Sequence, residues 1–338
     1  MSMTEGTTPD PQHELRPRQT PRSRRDTLKF AAMAAGASVV GAAVTAGPAQ
    51  AQEAAHGSGR KPAFVVVPGS HGNAAVMTPL ISALTRRGRT AVAVDLPGHG
   101  PEADYPLWYS TPQDLNALQN EVSSISNVRL ADNVERVISD IEAVGHGAPV
   151  VLVGHSLGGA TTTAVVNKVP HLIHRVVFIA GFCCSRLKSV YECVTSPEYA
   201  TSKLKLVPLS ADGAVVKANR FNWRTADPKV LAALKEAYLQ DGTDAEVRAA
   251  LAGLQPDETI WVSFEDCSIR PEAWRRVPRT YIRLVRDQSM PMPLQNRMIA
   301  DADATVPGRP FQVIDLDATH LGIIVSPQET AAVLDGLG

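Results

Sequence analysis

Val150–Thr163 reads VVLVGHSLGGATTT. Four apolar, mostly β-branched residues stop at Gly154, one serine follows among small neighbours, and a small-residue stretch resumes at Leu157. An uninterrupted apolar run bounded by a turn is the pattern of a strand buried on both faces. Gly154-His155-Ser156-Leu157-Gly158 also fits G-x-S-x-G, in which a serine sits on a sharp strand-to-helix turn and the glycines remove Cβ atoms that would obstruct it. Such a turn exposes Ser156 Oγ at the end of the sheet. The N–H groups opening the next helix point at the same spot, which makes the Leu157 amide a donor for a developing oxyanion. Ser156 is therefore the candidate nucleophile.

Working outward, short Val/Ile-rich runs recur at 64–67, 90–94, 150–153, 175–179, 280–285 and 311–314. Amphipathic stretches separate them at 75–87, 130–144, 157–168, 293–301 and 327–337. Strand and helix in alternation predict an α/β fold, a mostly parallel sheet with helices on both faces. The rhythm breaks over about 183–278, a stretch containing Pro, Trp and helical pieces such as 229–240, and this reads as a cap inserted after a core strand.

A serine hydroxyl is a weak nucleophile near neutral pH, so it needs a base, and the base an orienting carboxylate. In this fold they follow in the order serine, acid, histidine. Of the nine histidines, His320 in LDATHLGII is the one that follows both Ser156 and the last predicted strand. Asp287 follows the run RTYIRLV, where a loop leaves its carboxylate at the sheet edge; Asp301 and Asp303 lie beyond a helix, and Asp315 and Asp317 sit too near His320 in one loop. FVVVPGSHGN supplies the second oxyanion donor, the amide of Ser70 after Gly69, and puts His71 at the pocket wall. This loop lacks the G-x-x-x-x-G-K-[ST] pattern of a phosphate cradle.

FVVVPGSHG, AVAVDLPGHG, VVLVGHSLGG, VPRTYIRLVRDQSMP and LDATHLGIIVSPQETAAVL together resemble the α/β-hydrolase superfamily, and within it the compact methylesterase and hydroxynitrile-lyase-like group. The resemblance covers about 63–183 and 277–336 and leaves the cap aside. It implies a nucleophile at Ser156, an acid at Asp287, a base at His320 and oxyanion amides at Ser70 and Leu157. Two departures stand out: Pro68-Gly69 replaces the usual His-Gly, and the loop after the second strand is lengthened. Hydroxynitrile lyases of the group carry lysine directly after the histidine, whereas Leu321 here favours hydrolysis. The expected activity is an ester or lactone hydrolase working through an acyl-enzyme without a cofactor. A lyase or cyclase on the same scaffold is the alternative, as is a ligand receptor with slow turnover.

Composition agrees with a globular enzyme: 338 residues, 44% hydrophobic, 20% charged, formal net charge −1. No basic stripe is interleaved with aromatics, so nucleic acid is not an expected partner. Residues 1–51 carry SRRDTLKF with Arg24 and Arg25 adjacent, then an Ala/Gly-rich run and AQA, the pattern of a twin-arginine export signal cut after Ala51. The run is too weakly apolar for a membrane anchor. The expectation is a secreted or extracytoplasmic protein handled by the twin-arginine machinery, with 52–62 as linker and 63–338 as the hydrolase domain. Cys183, Cys184, Cys193 and Cys267 all fall in the cap region without paired C-x-x-C knuckles, so no metal site is expected. In an exported protein they predict a bridge from Cys267 to one of the other three; the alternative is four small apolar core residues. Trp108, Tyr109 and Trp223, with Leu107, Phe221, Trp261 and Phe264, are either an apolar substrate pocket or the core of the cap and long loop.

Overall fold

The computed structural model describes residues 61–338; the expected leader over 1–51 and all but the end of the 52–62 linker lie outside the described residues. Among these, eight strands form: β1 (Phe64–Val67), β2 (Ala91–Ala93), β3 (Val150–His155), β4 (Ile173–Ile179), β5 (Ala218–Arg220), β6 (Asp257–Thr259), β7 (Arg279–Leu284) and β8 (Gln312–Leu316). Six of them make one parallel sheet in the order β2-β1-β3-β4-β7-β8. β1 and β3 are buried along their whole length, which is why they read as unbroken apolar runs. Each fully buried Val there contributes about 1.5–3 kcal/mol relative to exposure. β8 is an edge strand and carries exposed Gln312, Val313 and Asp315, hence its weaker signal.

Helices Ala74–Arg86, Leu130–Gly145, Gly158–Lys168, Met292–Thr305 and Gln328–Asp335 flank the sheet close to where their periodicity puts them. Asn73 caps the first by accepting the Val76 N–H, and His146, at φ +47°, ends the second in a left-handed turn. The first packs against β2 and the Gln328–Asp335 helix, while Leu130–Gly145 packs on Gly158–Lys168.

The inserted cap occupies the chain between β4 and β7. It is mostly short helices, the longest being Pro228–Tyr238 and Asp244–Ala252, with one addition that the sequence pattern conceals. β5 and β6 pair antiparallel with the polar sequences ANR and DET. Arg220, 1% exposed, fixes that ribbon: its guanidinium grips both Asp257 oxygens at 2.6 and 2.7 Å and donates to the carbonyls of Leu118 and Glu121. The ribbon is thus tied to the lengthened loop after β2.

The expected Cys267 bridge is not formed. All four cysteines are buried free thiols; Cys267 Sγ faces the Lys188 carbonyl, and Cys184 Sγ stands 3.9 Å from Cys193 Sγ. That separation is nearly twice a covalent S–S bond of about 2.05 Å. Burial pushes the Cys183 thiol well above its ordinary pKa, and thiol contacts with Cys193 and Cys267 together with burial do the same for Cys184. Both therefore pack as small apolar side chains with little thiolate character.

Candidate active site

β3 ends at His155 and the Gly158–Lys168 helix begins three residues later. Between them Ser156 has φ +50°, a left-handed conformation that costs an L-residue roughly 1–2 kcal/mol. Close approach explains the flanking glycines. A Cβ on Gly158 would lie 2.3 Å from the Pro68 carbonyl oxygen, and one on Gly154 2.5 Å from Thr162 Oγ1. The loop after β1 is consequently pressed against the serine.

Three side chains from three strand ends meet there. His320 Nε2 lies 3.0 Å from Ser156 Oγ, and His320 Nδ1 lies 2.6 Å from Asp287 Oδ2. Asp287 Oδ1 accepts the N–H groups of Ser289 and Met290, both at 2.8 Å. An ionised carboxylate can only accept, so Nδ1 carries the imidazole proton and Nε2 keeps its lone pair for the serine hydroxyl. His320 and Asp287 are each 4% exposed, which shields the pair from water.

His155 lies beside this relay, its ring 4.7 Å from that of His320, with Nε2 donating to the His320 carbonyl at 3.2 Å. Burial, then the neighbouring His320, pushes its pKa well below the ordinary value. It is a neutral brace for the His320 ring. The cap adds others: Leu321 N–H donates to the Tyr238 carbonyl at 2.9 Å, Ser289 Oγ donates to the Ala237 carbonyl at 2.8 Å, and Ser202 Oγ and the Lys203 N–H donate to the Ser289 and Gln288 carbonyls at 2.8 Å. The Pro228–Tyr238 helix therefore holds together the loops that carry His320 and Asp287.

Above Ser156 opens a cavity of about 390 Å³, within the range of small-molecule sites. Ser70, Leu157 and His320 line it beside the serine, and Met77, Phe182, Val194, Phe221, Leu321 and Ile324 are among its apolar walls.

Residues 64–333 match the model of the alpha/beta hydrolase family. The chain belongs to that family. Norfluorocurarine synthase 1 from a Strychnos species is 27% identical over 254 residues, 69% of this chain and 88% of that protein. Among solved structures, an extracellular α/β-hydrolase from a Paenibacillus species superposes with a TM-score of 0.60 at 19% identity, covering 82% of this chain and 99% of that one. Polyneuridine aldehyde esterase superposes with a TM-score of 0.59 at 18% identity, covering 82% and 99%. At these identities the structures establish the shared fold.

In this α/β-hydrolase the residues expected to line the pocket divide. His71 does line the cavity. Trp108 and Tyr109 do not: with Leu118 they form a separate cluster, under the Arg220 and Arg224 guanidiniums at 4.5 and 4.9 Å. The lengthened loop needs a core of its own, and they supply it. Trp223 stands behind the wall, its ring 5.0 Å from that of His71 and its Nε1 donating to the Gln255 carbonyl. Trp261 Nε1 donates to the Ser126 carbonyl, Phe264 is exposed, and Leu107 is 91% exposed. Sequence reasoning missed Phe182, Val194 and Tyr238, because apolar residues in a cap of short helices carry no periodic signal that separates wall from core. His155 lay in view inside the motif, but nothing in its spacing announces the contact with His320.

No helix among the described residues is long and apolar enough to cross a membrane, and no group of His, Cys, Asp or Glu among them is arranged to hold a metal.

Proposed function

We propose that Ser156, His320 and Asp287 form a catalytic triad that opens the carbonyl of an apolar carboxylic ester or lactone. The observation that carries this is the continuous chain from Ser156 Oγ through His320 to Asp287 at 3.0 and 2.6 Å, at the floor of an apolar cavity. Ser156 Oγ bonds to the carbonyl carbon as its proton passes to His320 Nε2, and Asp287 stabilises the resulting imidazolium. The amides of Ser70 and Leu157 receive the oxyanion. Collapse breaks the carbon–oxygen bond to the alcohol, which takes the proton from His320. Water, deprotonated by the same imidazole, then releases the acid and restores Ser156.

A second reading is a lyase or cyclase on the same scaffold, in which activation of the carbonyl ends in rearrangement. The likeness to a protein named a synthase, over 88% of its length, favours it. Both readings need the relay, and they differ in the fate of water. Incubating the enzyme with a panel of apolar esters and lactones in ¹⁸O-water separates them. Hydrolysis places one ¹⁸O in the acid product, whereas rearrangement consumes substrate without label. Substrate consumption unchanged in Ser156→Ala excludes both.

Residues 1–51 are proposed as a twin-arginine leader, since Arg24 and Arg25 precede a weakly apolar run that ends in AQA. Replacing both arginines with lysine is expected to retain the precursor in the cytoplasm; mature protein outside the cell despite the change refutes that route.

A further inference from the structure

Between Gly69 and Gly72 the chain makes a tight turn, closed by the Gly72 N–H donating to the Gly69 carbonyl at 3.0 Å. The turn touches the nucleophile, for a Cβ on Gly69 would lie 2.9 Å from Ser156 Cβ. It also contains a non-glycine residue in the left-handed region, His71 at φ +61°. Such a conformation persists only where the surroundings over-determine it.

The surroundings here come from the return of the cap. The His71 N–H donates to Glu258 Oε2 at 2.8 Å, the His71 carbonyl accepts the Gln255 N–H at 2.9 Å, and His71 Nδ1–H donates to the Gln255 carbonyl at 2.9 Å. Every backbone polar group of His71 is thus taken by residues 255–258. Glu258 is 2% exposed, and its second oxygen accepts the Thr259 N–H at 3.1 Å. His99 Nε2 stands 3.5 Å from Oε2, where its protonated ring pairs with the buried carboxylate. Burial works against charge on both; their mutual attraction outweighs it, holding Glu258 below and His99 above their ordinary values. An ionised carboxylate accepting a backbone N–H is a short, strong contact, stiffer than a neutral one.

We propose that Glu258, from β6 of the cap, is a positioning residue for the oxyanion site: by holding the His71 N–H it sets the turn that aims the adjacent Ser70 amide at the reacting carbonyl. The proposal rests on the reading of Ser156 as nucleophile and Ser70 as oxyanion donor. It makes the cap a part of the machinery that stabilises the transition state, besides being the wall of the cavity.

The test uses an alkyl fluorophosphonate, which needs no knowledge of the natural substrate. Ser156 Oγ bonds to phosphorus, the P–F bond breaks, fluoride leaves, and the hydroxyl proton passes to His320; the phosphoryl oxygen occupies the oxyanion site. The maximal labelling rate, kinact, reports transition-state stabilisation, and KI reports binding of the probe. Glu258→Ala removes the acceptor, Glu258→Asp withdraws it by one methylene while keeping the charge beside His99, and Glu258→Gln keeps an acceptor in place. Since loss of an entire oxyanion donor costs roughly 10²–10³-fold, a misaimed one is expected to lower kinact roughly 10–100-fold in the Ala and Asp variants, with KI within about threefold. Gln is expected to stay within about threefold of the parent. If Ala fails to fold, Asp against Gln decides. The proposal is overturned if Ala or Asp labels at the parental rate, if KI rises in step with the loss, or if Gln is as slow as Asp. Ser156→Ala, run in parallel, keeps the underlying reading separate. Labelling that survives it defeats the nucleophile assignment and the proposal together, whereas labelling lost there but intact in Glu258→Asp defeats the proposal alone.

Discussion

His71 ought to make this protein sensitive to mild acid. Its ring packs edge-on against Phe221 and Trp223, and burial lowers its pKa from 6.5 to about 4 against the pull of the Glu258 carboxylate. With the folded pKa depressed, the unfolded chain takes up the proton first. The stabilising contribution is complete above about pH 6.5 and is lost as pH falls toward 4. Linkage with these two values gives a loss of about 2 kcal/mol between pH 7.5 and pH 5, against a total stability of about 5–15 kcal/mol for a domain. His155 moves in the same direction, burial and His320 holding its pKa down. His99 is raised, so its contribution is fully present only below its unfolded value and weakens as pH rises toward and through the folded one; it therefore offsets part of the loss between pH 7.5 and about 6.5, equally in parent and variant, and drops out of the difference between them. Glu258 lies below its ordinary 4.5 and stays ionised at pH 5. The assay is urea unfolding at pH 7.5 and pH 5 of the parent and of His71→Asn, since Asn tolerates positive φ and does not titrate there. The variant is expected to be less stable at pH 7.5, and the gap to narrow by about 2 kcal/mol at pH 5. A gap constant to within about 0.5 kcal/mol would show that His71 is not a buried neutral imidazole.

Other perturbations follow from particular contacts. Gly158→Ala places a methyl 2.3 Å from the Pro68 carbonyl oxygen, so the loop after β1 must shift; a loss of about 1–3 kcal/mol and, with the proposed oxyanion donor in that loop, a fall of roughly 10²-fold in turnover are expected, with unfolding midpoints and rates as the measures. Arg220→Met leaves the half-buried Asp257 carboxylate and the Leu118 and Glu121 carbonyls without their donor and is expected to cost about 1–3 kcal/mol by denaturant titration. Counting thiols with a disulfide reagent is expected to give four slow-reacting groups in the folded chain that become fast on unfolding; fewer than four under non-reducing denaturation contradicts the free-thiol arrangement.

What was legible in the sequence is what local periodicity and a strained turn must write there. β1 and β3 are covered by strands on both edges and helices on both faces, so nearly every position is apolar, and their bounds could be read almost to the residue. Ser156, Asp287 and His320 were legible because one motif and chain order at strand ends constrain them. The cap is different. β5 and β6 are three residues each and polar, held by Arg220 and Asp257 rather than by an apolar face, and no period announces them. Trp108 and Tyr109 looked like pocket residues because aromatic clusters serve pockets and small cores equally well. Glu258 gave no signal, for its partners His71 and His99 lie 187 and 159 positions away in the chain.

The hydrogen bonds of the cap bear on how the family scaffold changes its substrate. Ala237 and Tyr238 hold the loops of Asp287 and His320, while Gln255 and Glu258 hold the loop after β1. All three loops around Ser156 are thereby fixed from one insertion, so a cap that swings away as a unit must release the triad geometry with it. Val190 and Val194, on the short Val190–Thr195 helix, meet the cavity as apolar wall. Substitutions at those two positions change the shape presented to the substrate while the loops keep their anchors. Changes at 237–238 or 255–258 disturb the anchors themselves, which makes the Val190–Thr195 helix one part of the cap where the cavity wall can change with the three loops left in place.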